Sequence, residues 1–134
     1  MPAPEAHTLS KEERICSRLL IEKLFNSGKS RSMSAFPLRA VYMPIEERGT
    51  RQPAAQFLVS VPKKHFKRAV KRNLVKRQVR EAYRKHKGIL LQSFENKQDQ
   101  GVAIAFIWMD DKLYSSDEVE KRVIQLLTRI KERL

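Results

Sequence analysis

Residues 54–87, AAQFLVSVPKKHFKRAVKRNLVKRQVREAYRKHK, change their hydrophobic period at Pro62. Ahead of it Phe57, Val59 and Val61 alternate on one face of a strand. Beyond it Val75, Val79, Ala82 and Tyr83 recur at helical spacing. The stretch therefore reads as a strand, 54–64, feeding a helix from about residue 68 to 87. Wound at about 100° per residue, that helix turns its apolar residues to one side and Asn73, Lys76, Arg77, Arg80, Arg84 and Lys87 to another. Arg72, Lys76, Arg80 and Arg84 follow one another at i, i+4, where each like-charge pair costs about 0.2–0.5 kcal/mol in an isolated helix.

Between residues 63 and 87 there are twelve Lys and Arg and one acidic residue, Glu81, which falls on a different azimuth from the stripe. A basic face that served only solubility would mix the two signs. Near-exclusion of Asp and Glu points instead to a surface whose repulsion a polyanion relieves. An anionic membrane would also attract this charge, but a membrane-surface helix needs bulky apolar residues opposite its cations. Val and Ala suit packing on a sheet.

The remainder of the chain extends that reading in both directions. At 134 residues and net charge +13, it fits one domain with a real core. The segment MPAPEAHTLS has no apolar signal region, and the longest apolar run, Val102–Met109, is too short to span a bilayer, so a cytoplasmic protein is expected. A lone Cys16 cannot form an internal disulfide; among Ile15, Leu19 and Leu20 it reads as a buried structural thiol. Ser10-x-x-Glu13 reads as a capping box that opens a first helix, with Ile15, Leu19, Leu20 and Leu24 turned inward and an end before Gly28. FPLRAVYMPI (36–45) is a strand expected to pair antiparallel with 54–64, and RSMSA (31–35) adds a short strand before it. Downstream, VAIAFIWM (102–109) is apolar throughout and reads as a central strand covered on both faces. After the turn DDKLYSS, Ser115-x-x-Glu118 caps a last helix striped by Val119, Val123, Leu126, Leu127, Ile130 and Leu134. The expected architecture is an α+β sandwich, helices on a small mixed sheet, without repeats or a second domain.

Catalytic side chains do not converge in this pattern. His7, His65 and His86 are scattered without Cys or carboxylate at metal-ligand spacing. Asp110 and Asp111 are adjacent, so in an extended chain they point to opposite faces and suit a turn better than acid–base work. Four glycines leave no phosphate loop. A DNA-reading helix-turn-helix would need a short helix where the strand ending at Pro62 stands. A structural RNA binder of ribosomal type and a protein cofactor of a catalytic RNA both remain.

The stretch VPKKHFKRAVKRNLVKRQVREAYR (61–84) resembles the signature of the bacterial ribonuclease P protein subunit: a strand ending in Lys-Lys, then Ala-Val-x-Arg-Asn-x-x-Lys-Arg-x-x-Arg-Glu on the following helix. The match covers Lys63, Lys64, Ala69, Val70, Arg72, Asn73, Lys76, Arg77, Arg80 and Glu81. IEKLFNSGKS (21–30) resembles the family's amino-terminal helix, which ends in a Phe and a nearby Gly. Two positions depart from the pattern. Leu74 stands where the family usually carries the second Arg of Arg-Asn-Arg, and HFKR lacks the Gly common before Ala-Val.

What the resemblance implies is a single-domain α/β sandwich of order αβββαβα with a left-handed βαβ crossover, like the second domain of a small-subunit ribosomal protein. General connections are right-handed in about 98% of cases, so this hand comes from the resemblance alone. It implies a flexible tail, 1–8, ahead of one RNA-binding domain, 9–134. The implied function is that of protein subunit of the ribonucleoprotein that removes 5′ leaders from precursor tRNA. The RNA subunit would then use Mg²⁺ for hydrolysis, and the protein would hold no tightly bound cofactor and no catalytic or metal-ligating residue. RNA-binding residues would be Lys63, Lys64, Arg68, Arg72, Asn73, Lys76, Arg77, Arg80 and Arg84, and leader-binding residues Phe25, Phe36 and Tyr42. The implied partners are the catalytic RNA and precursor tRNA, with no membrane and no protein partner required. The alternative is the non-catalytic ribosomal-type binder.

Overall fold

A computed structural model describes residues 13–15, 18–26, 28–45, 54–95 and 100–134; the expected tail 1–8, Ser10 and Cys16 lie outside them. Strands β1 (Arg31–Ala35), β2 (Leu38–Ile45), β3 (Ala55–Ser60) and β4 (Gly101–Trp108) form one sheet in the order β1-β2-β4-β3. β2 runs antiparallel to both β1 and β4, whereas β3 and β4 are parallel. Helices α1 (Arg18–Asn26), α2 (Ala69–His86), α3 (Gly88–Leu91) and α4 (Ser116–Arg133) complete the α+β sandwich, with α2 and α3 inside the parallel crossover.

β4 takes the centre because GVAIAFIW offers apolar side chains to both sides. On one side Val102, Ile104, Phe106 and Trp108, with Tyr42 of β2 and Phe57 of β3, meet Val75, Val79 and Tyr83 of α2 and Val123, Leu126 and Ile130 of α4. Tyr83 stacks on Phe57 at a ring-centroid distance of 4.3 Å and meets Phe106 edge-on at 5.9 Å. On the other side Ala103 and Ala105 leave a shallow bed in which Leu24 of α1 packs with Ile15, Val41 and Met43. The second capping box is formed: Ser115 is the N-cap of α4 and its hydroxyl accepts the Glu118 N–H at 3.2 Å.

Three expectations are corrected. Segments 36–45 and 54–64 do not pair with each other, since β4 lies between them; a strand buried on both faces displaces the simple hairpin and sends β3 to the edge. The chain at Glu13–Ile15 does not run on as the α-helix that the first capping box opens. Arg14 bridges to Phe57 on the outer edge of β3, the Ile15 N–H donates to the Phe57 carbonyl at 2.9 Å, and α1 begins only at Arg18. Unpaired backbone groups of an edge strand recruit such a segment. With the helix starting there, Leu20, Ile21 and Leu24 face the sheet and Leu19 is exposed.

Candidate nucleic-acid interface

The loop between β3 and α2 is fastened at both ends. His65 N–H donates to the Pro62 carbonyl at 3.1 Å, and Phe66 is buried. One guanidinium nitrogen of Arg72 donates to the carbonyls of Phe66 and Lys67, both at 2.8 Å. Arg72 thus spends hydrogen bonds on the loop that carries Lys63, Lys64 and Arg68, and it ties these cations to the first turn of α2. Outside the loop, His65 Nδ1 lies 2.6 Å from Asp111 Oδ1 in the turn after β4.

The apolar face of α2 is as the periodicity predicts: Val75, Val79, Ala82 and Tyr83 are its buried residues. Lys63, Lys64, Arg68, Asn73 and Arg77 are exposed, and Arg72, Lys76 and Arg80 are half-buried. Among the described residues, no carboxylate comes within 4.0 Å of Lys63, Lys64, Arg68, Arg72, Lys76, Arg77 or Arg80. The last turns of the helix differ. Arg84 reaches back one turn to Glu81, and that hydrogen bond holds the Glu81 carboxyl below its usual range. His86 Nε2 lies 3.3 Å from Glu120. Lys87 is not on the cationic face at all: it is buried and donates to Glu13 at 2.8 and 2.9 Å. Along α2 and the loop before it, the cations without a described carboxylate partner therefore lie in that loop and the first two-thirds of the helix. Burial, and next the Glu13 charge, push the Tyr83 hydroxyl far above its ordinary range, so it stays neutral in the core.

Two grooves open on the protein, and only the first adjoins this surface. Arg80 lines one of about 210 Å³ with Arg14, Ile15, Phe57, Leu58 and Val59 at the outer edge of β3. The other, about 200 Å³, lies at the end of α1 and is lined by Leu24, Phe25, Gly28, Ser30, Arg31, Ser32, Arg39 and Val41. Gly28 has φ +76°, which suits the residue that closes a helix, and the Ser30 hydroxyl donates to the Leu24 carbonyl.

The three aromatic residues expected to share a cleft do not converge. Phe25 is 46% exposed at the second groove. Phe36, 56% exposed, sits in the β1–β2 turn, where its carbonyl accepts from Arg122 Nε of α4 at 2.8 Å. Tyr42 is buried in the core under α2 and α4, on the sheet face opposite α1; the alternation of β2 decides this, because Val41 and Met43 occupy the α1 face. Arg39, missed from the sequence, shares that face with Val41 and donates to the Ser32 hydroxyl at 3.4 Å. Its position two residues before Val41 is the signal that could have found it.

Asp110 and Asp111 serve the turn. Tyr114 donates its hydroxyl to Asp110 at 2.6 Å, which lowers the Asp110 carboxyl and raises the Tyr114 phenol from their ordinary values. Among the described residues no group of three or more His, Cys, Asp or Glu side chains is placed to hold a metal ion, and no helix is long and apolar enough to cross a membrane.

A family model described as Ribonuclease P matches residues 9–131. The chain is 42% identical over 130 residues to a ribonuclease P protein component of Porphyromonas gingivalis, covering 97% of this chain and 91% of that one. A ribonuclease P protein component of Chlorobium phaeobacteroides is 39% identical over 88 residues, 65% of this chain and 59% of the relative. Among solved structures, the ribonuclease P protein of Staphylococcus aureus superposes with a TM-score of 0.66 at 19% identity, over 89% of this chain and 95% of that one. The Thermotoga maritima protein superposes with a TM-score of 0.61 at 21% identity, over 84% and 94%.

Proposed function

The chain belongs to the ribonuclease P protein component family, and from that premise we propose that its β3–α2 loop and the first two-thirds of α2 bind the catalytic RNA of the ribonucleoprotein. The observation that carries this reading is the run of cations from Lys63 to Arg80 that have no carboxylate partner among the described residues. Phosphates would supply the missing charge, with counterion release as the driving force. The loop hydrogen bonds of Arg72 contribute by holding the cations in one register before RNA arrives, which lowers the ordering cost of binding.

The 5′ leader of precursor tRNA is assigned to the groove at Phe25. An exposed ring there can stack on an unpaired base, an interaction of ~1–3 kcal/mol, while Arg31 and Arg39 are within the same groove to take its phosphates. The RNA subunit supplies Mg²⁺-dependent hydrolysis; this chain binds, orients and screens. The protein works as one RNA-binding domain, in the cytoplasm, without a protein partner.

Co-purification tests the reading. The protein should retain one large structured RNA that cleaves precursor tRNA, and recovery with ribosomal subunits alone would favour the structural-binder alternative.

A further inference from the structure

Val70 is 79% exposed and Leu74 is 39% exposed, one turn apart on the first half of α2. Leu113, 42% exposed, lies in the turn between β4 and α4. That turn is pinned to the α2 region from both sides: Asp111 to His65 ahead of the helix, and the Tyr114 carbonyl to Gln78 Nε2 at 2.9 Å, one turn beyond Leu74. Val70 and Leu74 share one face of α2, and Leu113 is carried by the turn tied along that stretch, so the seam between turn and helix presents aliphatic residues. They interrupt the region of α2 where charge is least relieved, and Leu74 is itself the departure from Arg-Asn-Arg noted in the sequence.

We propose that this apolar step seats an unpaired nucleobase of the RNA bound by α2, a refinement that rests on the function proposed above. A phosphate gains nothing from Val or Leu. A base inside an A-form duplex shows its edges and hides its faces, whereas an unstacked base offers an apolar π-face. The surrounding Arg68, Lys71 and Arg77 are exposed cations suited to the phosphates on either side of such a base. The same charge disfavours a second copy of a +13 chain on this seam. The cationic stripe would supply affinity for any RNA, and the apolar step would favour RNA with a base free to leave its stack.

The test compares the protein with its Val70→Ser/Leu74→Ser variant on two RNAs, transcribed ribonuclease P RNA and a fully paired duplex of equal length, across a salt series. The variant should bind ribonuclease P RNA about ten-fold more weakly and the duplex equally well. Its slope of log affinity against log salt should not change, because no cation is removed. A Leu74→Met variant should keep its affinity, and melting curves should coincide, since both residues are exposed. No loss, equal loss on both RNAs, or an altered slope would overturn the proposal. So would dimerisation of the unsubstituted protein that the double variant abolishes, which would give the seam to a second copy. If the unsubstituted protein binds both RNAs alike, the functional reading itself fails, and the proposal with it.

Discussion

Arg80 joins two features of the surface. Its Nε reaches back to the Lys76 carbonyl at 3.4 Å, and it lines the groove shared with Arg14 and Phe57. A phosphate contact there should contribute ~0.7–0.9 to the slope of log affinity against log salt. Arg80→Ala should flatten the measured slope by about one contact, and an unchanged slope would remove Arg80 from the interface. Arg84→Ala should do less, since Glu81 already engages that guanidinium. Phe25 calls for a different readout. Phe25→Ala should weaken precursor tRNA more than mature tRNA, by about ten-fold for one lost stack; equal losses on both substrates would return the ring to a structural role. Tyr42, by contrast, should respond only in stability, because its ring is buried in the main core.

Between elements, the Glu13–Lys87 pair joins the segment before α1 to the junction of α2 and α3. Their side chains are only 16% and 7% exposed, so removing one charge leaves the other poorly solvated. Lys87→Met should lower stability by about 1–3 kcal/mol in urea unfolding. Glu13→Leu/Lys87→Met should recover much of that loss, since no unpaired charge remains. Neither variant should alter the salt dependence of RNA binding; a flatter slope would mean that Lys87 leaves Glu13 to meet RNA. Loss of the pair would also loosen the Arg14–Ile15 segment from the edge of β3, one wall of the groove that Arg80 lines.

For the whole molecule, net charge decides how the assembly should respond to ions. A catalytic RNA and its RNA substrate repel each other, and both a +13 protein and a high concentration of divalent cations screen that repulsion. Single-turnover cleavage of precursor tRNA should therefore gain most from the protein at low Mg²⁺, with the advantage shrinking as Mg²⁺ rises. The protein alone should not cleave, and cleavage by nuclease-treated protein would overturn the assignment of catalysis to RNA.

The amino-acid sequence by itself determined the two faces of α2, the doubly covered β4, the Ser115 cap and the cation stripe. Each is written within a turn or two of chain, where side-chain spacing alone sets the period. It also carried the family signature from Lys63 to Glu81. Only the tertiary structure decided that β4 enters between β2 and β3, that an edge strand captures Arg14 and Ile15, and that Tyr42 faces the core and not the α1 side. It likewise decided that Lys87 belongs to a carboxylate 74 positions away. No local period encodes these outcomes, because each depends on which remote backbone edge or buried charge the chain meets once its layers have closed.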